Sequence, residues 1–324
     1  MKKFVLLSLL LTFFSASAEN KYSYLWGIQF PALITPDTPC CFDYDGDGVN
    51  DDGLGAALAL MSELNENNYQ QIADRILLDN EVVKAFHWHG LNLAQDNNNF
   101  TFQITDATIN NPEVGFIQRY YGYADLTIDT ALTHNLFSGE LMNRKVTATA
   151  PMLTNFLRME GPFGDDALTL YDVKFEADLV EDEGLCQGVC TEQELKDQTV
   201  VGSGKLGGVL PASEVFSAMN EQYRFCACAG VNPTQDLLTW EANDFAGSLI
   251  ASCQQDVEAS SCSQADYCST LTHVCGYAPV LGLALDLDTD QDGINDAFSV
   301  GLRLGISGID ELNLLDLIFE DSFE

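Results

Sequence analysis

The sequence predicts an α+β fold that is mainly β: an antiparallel β-sandwich-like body with an N-terminal helical hairpin and a disulfide-rich region. Three observations carry this expectation. Apolar residues recur at every second position in several runs between residues 81 and 180, they recur at helical spacing between residues 53 and 80, and eight of the ten cysteines fall between Cys186 and Cys275. Period two marks half-buried strands, and a period near 3.6 marks a helix with one buried face.

Residues 1–18 read as a signal peptide: Lys2 and Lys3, an apolar run from Phe4 to Phe14, then the small-residue site Ala16-Ser17-Ala18, with cleavage expected after Ala18. The layout is bacterial and places the mature chain outside the cell or at its surface. No later stretch is apolar for long enough to span a bilayer as a helix, so no transmembrane segment is expected. Residues 19–80 contain an Asp-rich loop followed by the expected hairpin, in which Leu54, Ala57, Leu58, Met61 and Leu64 mark one helix and Tyr69, Ile72 and Ile76 the next. In residues 81–180, Phe100, Phe102 and Ile104 alternate with polar neighbours, as do Tyr171, Val173, Phe175, Ala177 and Leu179; Ala124–Thr130 and Lys145–Ala150 read as further strands. Strands joined without intervening helices pair antiparallel, hence the sandwich-like body.

Residues 181–280 form the disulfide-rich region. Ten cysteines behind an export signal imply disulfides. Cys40 and Cys41 are chain neighbours, an awkward geometry for a mutual bridge, so at least one is expected to reach a distant partner. In residues 281–312, Leu281, Leu283, Leu285 and Leu287 alternate into a second Asp-rich loop and Phe298, Val300, Leu302, Leu304 and Ile306 alternate out of it, giving strand, turn, strand. Residues 313–324 are an acidic tail.

The chain carries 49 acidic residues against 14 Lys and Arg, for a net charge of −35; losing the two leader lysines makes it −37. Such a surface repels phosphate backbones, which excludes nucleic acid as a partner and favours divalent cations.

The Asp-rich loops direct that preference. In Asp43-Tyr-Asp-Gly-Asp-Gly-Val-Asn-Asp51 the aspartates Asp43, Asp45 and Asp47 hold the first, third and fifth places, Gly48 the bend, the Val49 carbonyl the seventh place and Asp51 the ninth. Asp288, Asp290, Asp292, Gly293, Ile294 and Asp296 repeat the pattern. Calcium takes six to eight hard oxygen ligands, and alternate carboxylates on a tight turn supply them around one centre. The loops resemble the D-x-D-x-D-G-x-x-D loops of thrombospondin type 3 repeats and of bacterial EF-hand-like proteins, over about a dozen residues each. They depart from a full EF-hand at the twelfth place, where Leu54 and Ser299 stand instead of Glu. The resemblance implies calcium held as a structural cofactor with an affinity on the order of 10⁻⁴ to 10⁻³ M. The arrangement of loop, cysteine-rich stretch and second loop also resembles an uncharacterised group of secreted bacterial proteins, and the Ile318–Glu324 ending resembles the Phe-and-acid endings of some exported proteins.

Two further motifs stand out. His87 and His89 flank Trp88 on an expected strand, so both imidazoles face one side, a geometry used for metal ligation. Gly202-Ser-Gly-Lys-Leu-Gly207 matches G-x-G-x-x-G but lacks the strand-turn-helix setting of a dinucleotide site and reads as a glycine-rich turn or hairpin. No nucleophile elbow or zinc-protease motif is present, and no catalytic residue can be assigned. The function expected from the sequence is a secreted calcium-binding protein serving adhesion or ligand binding, with a surface glycan or protein as ligand. The alternative is a secreted hydrolase with a metal site around His87 and His89.

Overall fold

The computed structural model describes residues 21–34, 40–65, 68–78, 83–91, 98–110, 126–128, 135–143, 145–161, 164–178, 204–263 and 267–308. The expected signal peptide, the acidic tail, Cys186 and Cys190 lie outside them.

The body is a barrel, not a sandwich. Strands β1 (Lys21–Gln29), β2 (Lys84–His89), β3 (Asn98–Ile109), β5 (Leu136–Met142), β6 (Lys145–Gly161), β7 (Gly164–Asp178), β8 (Gly204–Pro211) and β11 (Ala297–Gly308) each pair antiparallel with the next, and β11 returns to β1. The short β4 (Leu126–Ile128) lies along the end of β3, and β9 (Leu238–Asn243) and β10 (Ser248–Cys253) form a separate hairpin. Alternation of apolar and polar residues is common to both architectures. Closure depends on β1 meeting β11, with Ser23 opposite Gly308 and Gln29 opposite Arg303, and that pairing leaves no local mark in the sequence.

Aromatic side chains fill the interior. Phe86 and Trp88 on β2, Phe100 and Phe102 on β3, Phe137 on β5 and Phe175 on β7 are all buried. Phe86 and Phe175, from strands on opposite sides of the ring, have centroids 6.1 Å apart, and Phe102 stacks on Phe137 at 4.4 Å. Such rings pack the small lumen of an eight-stranded barrel and add edge and stacking contacts to their burial. Chain alternation sends their neighbours to the outer face, where Lys174 and Glu176 are half-buried and Lys145 pairs with Glu176 at 2.7 Å. Among the described residues no helix is long and apolar enough to cross a membrane.

The expected helical hairpin is also corrected. Helices α2 (Gly53–Asn65) and α3 (Tyr69–Leu78) form where the periodicity places them, but α2 packs on β11 and on the short α1 (Pro31–Ile34), while α3 packs on β1. Each covers its own strand. Asp52 caps α2 by accepting the Gly55 amide, and Asn68 caps α3 by accepting that of Gln71. Gln70 then pins α3 to the end of β1 through Phe30 N–H and the Ile28 carbonyl.

The run Leu281–Leu287 does not form a strand. It ends helix α5 (Leu271–Leu283), which follows α4 (Ala212–Tyr223) and the β9–β10 hairpin in a module closed by Cys226–Cys268, Cys228–Cys262 and Cys253–Cys275. In an up-and-down barrel alternate connections leave at the same end, so the β1–β2 insertion with the first Asp-rich loop and the β8–β11 insertion with the second emerge together.

Candidate metal centres

The two loops fold alike because their amides bind their own carboxylates. In the first, Gly46 and Gly48 donate to Asp43 at 2.6 and 2.9 Å, Asp47 to Asp45 at 2.9 Å, Val49 to Asp47 at 2.7 Å and Tyr44 to Asp51 at 2.6 Å. In the second, Gln291 and Gly293 donate to Asp288 at 2.7 and 2.8 Å, Asp292 to Asp290 at 3.2 Å, Ile294 to Asp292 at 2.9 Å and Thr289 to Asp296 at 2.9 Å. Place for place the pattern is the same. The sixth position is left-handed in both, Gly48 at φ 89° and Gly293 at φ 93°, where a Cβ would be strained.

Carboxylate oxygens converge as a result. Asp43, Asp45 and Asp51 each bring an oxygen within 4.8 Å of the other two, and so do Asp288, Asp290 and Asp292. Asp47 and Asp296 stand outside these triads; Asp296 holds Thr289 through both its amide and, at 2.8 Å, its hydroxyl. Val49 and Ile294 keep the seventh place, their amides bound by Asp47 and Asp292. Burial, partly offset by the Tyr44 amide and reinforced by Asp45 and Asp43, raises the Asp51 carboxyl above the usual range. All-carboxylate oxygen sets of this kind suit a hard divalent cation.

The loops are anchored differently. The first lies across the outer face of the barrel. Gly207 and Gly301 are opposite one another on β8 and β11, and a Cβ on Gly301 would stand 1.9 Å from the Cys40 carbonyl, one on Gly207 2.5 Å from Phe42. Gly204 and Gly207 of the G-x-G-x-x-G match thus belong to β8 rather than to a turn, and Gly207 leaves room for this segment, while Gly202 lies outside the described residues. Cys40 and Cys41 bridge each other, correcting the expected distant partner, so the segment is held here by packing and by Lys174, whose ammonium reaches the Asp43 carbonyl at 3.3 Å and lies 4.1 Å from the Tyr44 ring centre. The second loop is laced into backbone: Leu249 donates to Asn295 and Asn295 to Gly247, both at 2.9 Å, and Ala212 donates to Asp296 at 2.9 Å.

One buried node joins both. Ser299 on β11 accepts the Gly53 amide at 2.7 Å, its hydroxyl bonds Asp286, and its own amide donates to Asp286 at 2.7 Å. Asp52 accepts the Gly301 amide at 3.2 Å. Burial pushes the Asp52 carboxyl up to about 7 against the pull of the Gly55 and Gly301 amides, with Asp286 adding to the rise; burial likewise raises Asp286. Ser299, standing at the twelfth place of the second loop, therefore clamps the exit of the first. Sequence reading passed over Asp52 and Asp286 as anchors because Ser299 and Gly53 are 246 residues apart; the one available signal was an acid in an apolar setting, Leu285-Asp286-Leu287.

His87 and His89 lie side by side on the outer face of β2, ring centroids 3.8 Å apart. Burial, then the neighbouring His89, pushes the His87 imidazole down to about 4, and burial lowers that of His89.

Comparison with known proteins finds no matching family model, no similar curated protein and no similar solved structure.

Proposed function

We propose that the chain is an exported calcium-binding protein in which two calcium ions are structural, fixing surface loops on a barrel that serves adhesion or ligand binding outside the cell. The observation that carries the reading is the duplicated convergence of three carboxylates on a turn whose amides have already ordered those same side chains. Mutual repulsion of such carboxylates is relieved by a divalent ion, and the missing acid at the twelfth place suits a clamp rather than a switch. The likeness to thrombospondin type 3 and EF-hand-like loops belongs to the same proposal.

The aromatic packing of the lumen directs ligand binding to the exterior. Beside the first loop, Phe42 borders a shallow groove with Thr101, Ser138, Thr149, Lys174 and Glu176. Calcium in that loop would hold Phe42 in place, and a largely apolar lining with an aromatic ring and a few hydroxyls and carboxylates suits a glycan or peptide.

The test is thermal unfolding of the mature protein in EDTA and in millimolar calcium. Calcium is expected to raise Tm, Asp45→Ala and Asp290→Ala each to remove part of the rise, and the double variant to abolish it. A wild-type Tm indifferent to calcium overturns the reading.

A further inference from the structure

We propose that His87 and His89 form a second kind of metal site, a bis-imidazole chelate on the outside of the barrel that takes a borderline transition ion, copper(II) most strongly. Strand geometry makes the pair. Phe86 and Trp88 point into the aromatic core, so His87 and His89 both point out, from positions about 6.6 Å apart along the chain. Their rings lean together until the centroids are 3.8 Å apart, with planes inclined at 51°. The Nε2 of His87 is buried, so His87 would ligate through Nδ1, and imidazole nitrogens hold such an ion at about 2.0–2.1 Å.

Two features favour a metal there. The register neighbours on β3 are Gln103 beside His87 and Thr101 beside His89, so no fixed positive charge opposes an incoming cation from that strand. The chain's net charge of −35 raises the local concentration of cations. Nitrogen donors select copper, zinc and nickel over calcium, and the Irving–Williams order places copper first. The site thus differs in chemistry from the carboxylate loops and stands whether or not those bind calcium. Water completes the shell in this proposal, and binding rather than hydrolysis is what the pair supports.

The test is titration of the mature protein with copper(II) in excess calcium, followed by calorimetry and by electron paramagnetic resonance. Wild type is expected to bind one copper with hyperfine structure from two nitrogens. His87→Gln and His89→Gln should each weaken that binding by about tenfold or more, while His273→Ala leaves it unchanged. Thermal unfolding in EDTA checks that each variant is folded. Should a variant fail to fold, the wild-type spectrum alone decides: an oxygen-only copper spectrum overturns the proposal, as does equal copper affinity in wild type and a folded double variant.

Discussion

The two Asp-rich loops are near copies in their internal hydrogen bonds and opposites in their attachment. The first rests on the barrel wall, fitted over two glycines and steadied by Lys174; the second is threaded between a hairpin and β11 and backed by a module with three disulfides. A short aspartate repeat therefore specifies its own turn, since the ordering amides and carboxylates all lie within nine residues, but the surrounding fold decides how firmly it is held. The first loop depends on close packing and the second on covalent and backbone connections. Perturbations of the two supports should separate accordingly.

The largest expected effect lies on the second side. Replacing Cys226 and Cys268 with Ala should cost about 2–5 kcal/mol in denaturant unfolding and weaken calcium binding at the second loop more than at the first. Next is Gly301→Ala, whose Cβ would collide with the Cys40 carbonyl; a loss of about 1–3 kcal/mol is expected, together with the calcium response that Asp45 controls, while the response controlled by Asp290 persists. Calorimetric titration of each variant distinguishes the two loops.

Asp52 offers a pH test in calcium-free protein. Its folded carboxyl titrates near 7, above an unfolded value near 3.9. Its contribution to stability is thus fully present below about pH 4 and is lost as pH rises through about 7. Asp52→Asn should flatten that decline, measured by Tm across pH 4 to 8.

The smallest effect compares the fourth place of each turn, left-handed in both: Gly46 at φ 82° and Gln291 at φ 63°. Gly46→Gln should lower stability by about 1 kcal/mol, whereas Gln291→Gly should be neutral or stabilising by less than about 1 kcal/mol. Equal and opposite changes would show the loops to be equally constrained there.

These contrasts also mark what was legible beforehand. The alternation of Phe100, Phe102 and Ile104 and of Val173 and Phe175 is local and gave strands; the loop aspartates and their bend glycines are local as well. The Leu281–Leu287 alternation misled because the preceding stretch from Leu271 is apolar on several sides, so two-residue spacing there does not distinguish strand from helix. Closure of the barrel, the glycine lane at Gly207 and Gly301, and the Ser299 node all pair residues far apart in the chain, where periodicity carries no information.

The seam between β1 and β11 has a consequence for assembly. Leu25 meets Ile306 and Ile28 meets Leu304, so the ring cannot shut until the last described strand has been made and delivered. Closing so long a stretch of chain carries a high entropic cost and slows folding. Since β11 also supplies the Ser299 and Gly301 contacts, neither aspartate loop has its full support until β11 is in place.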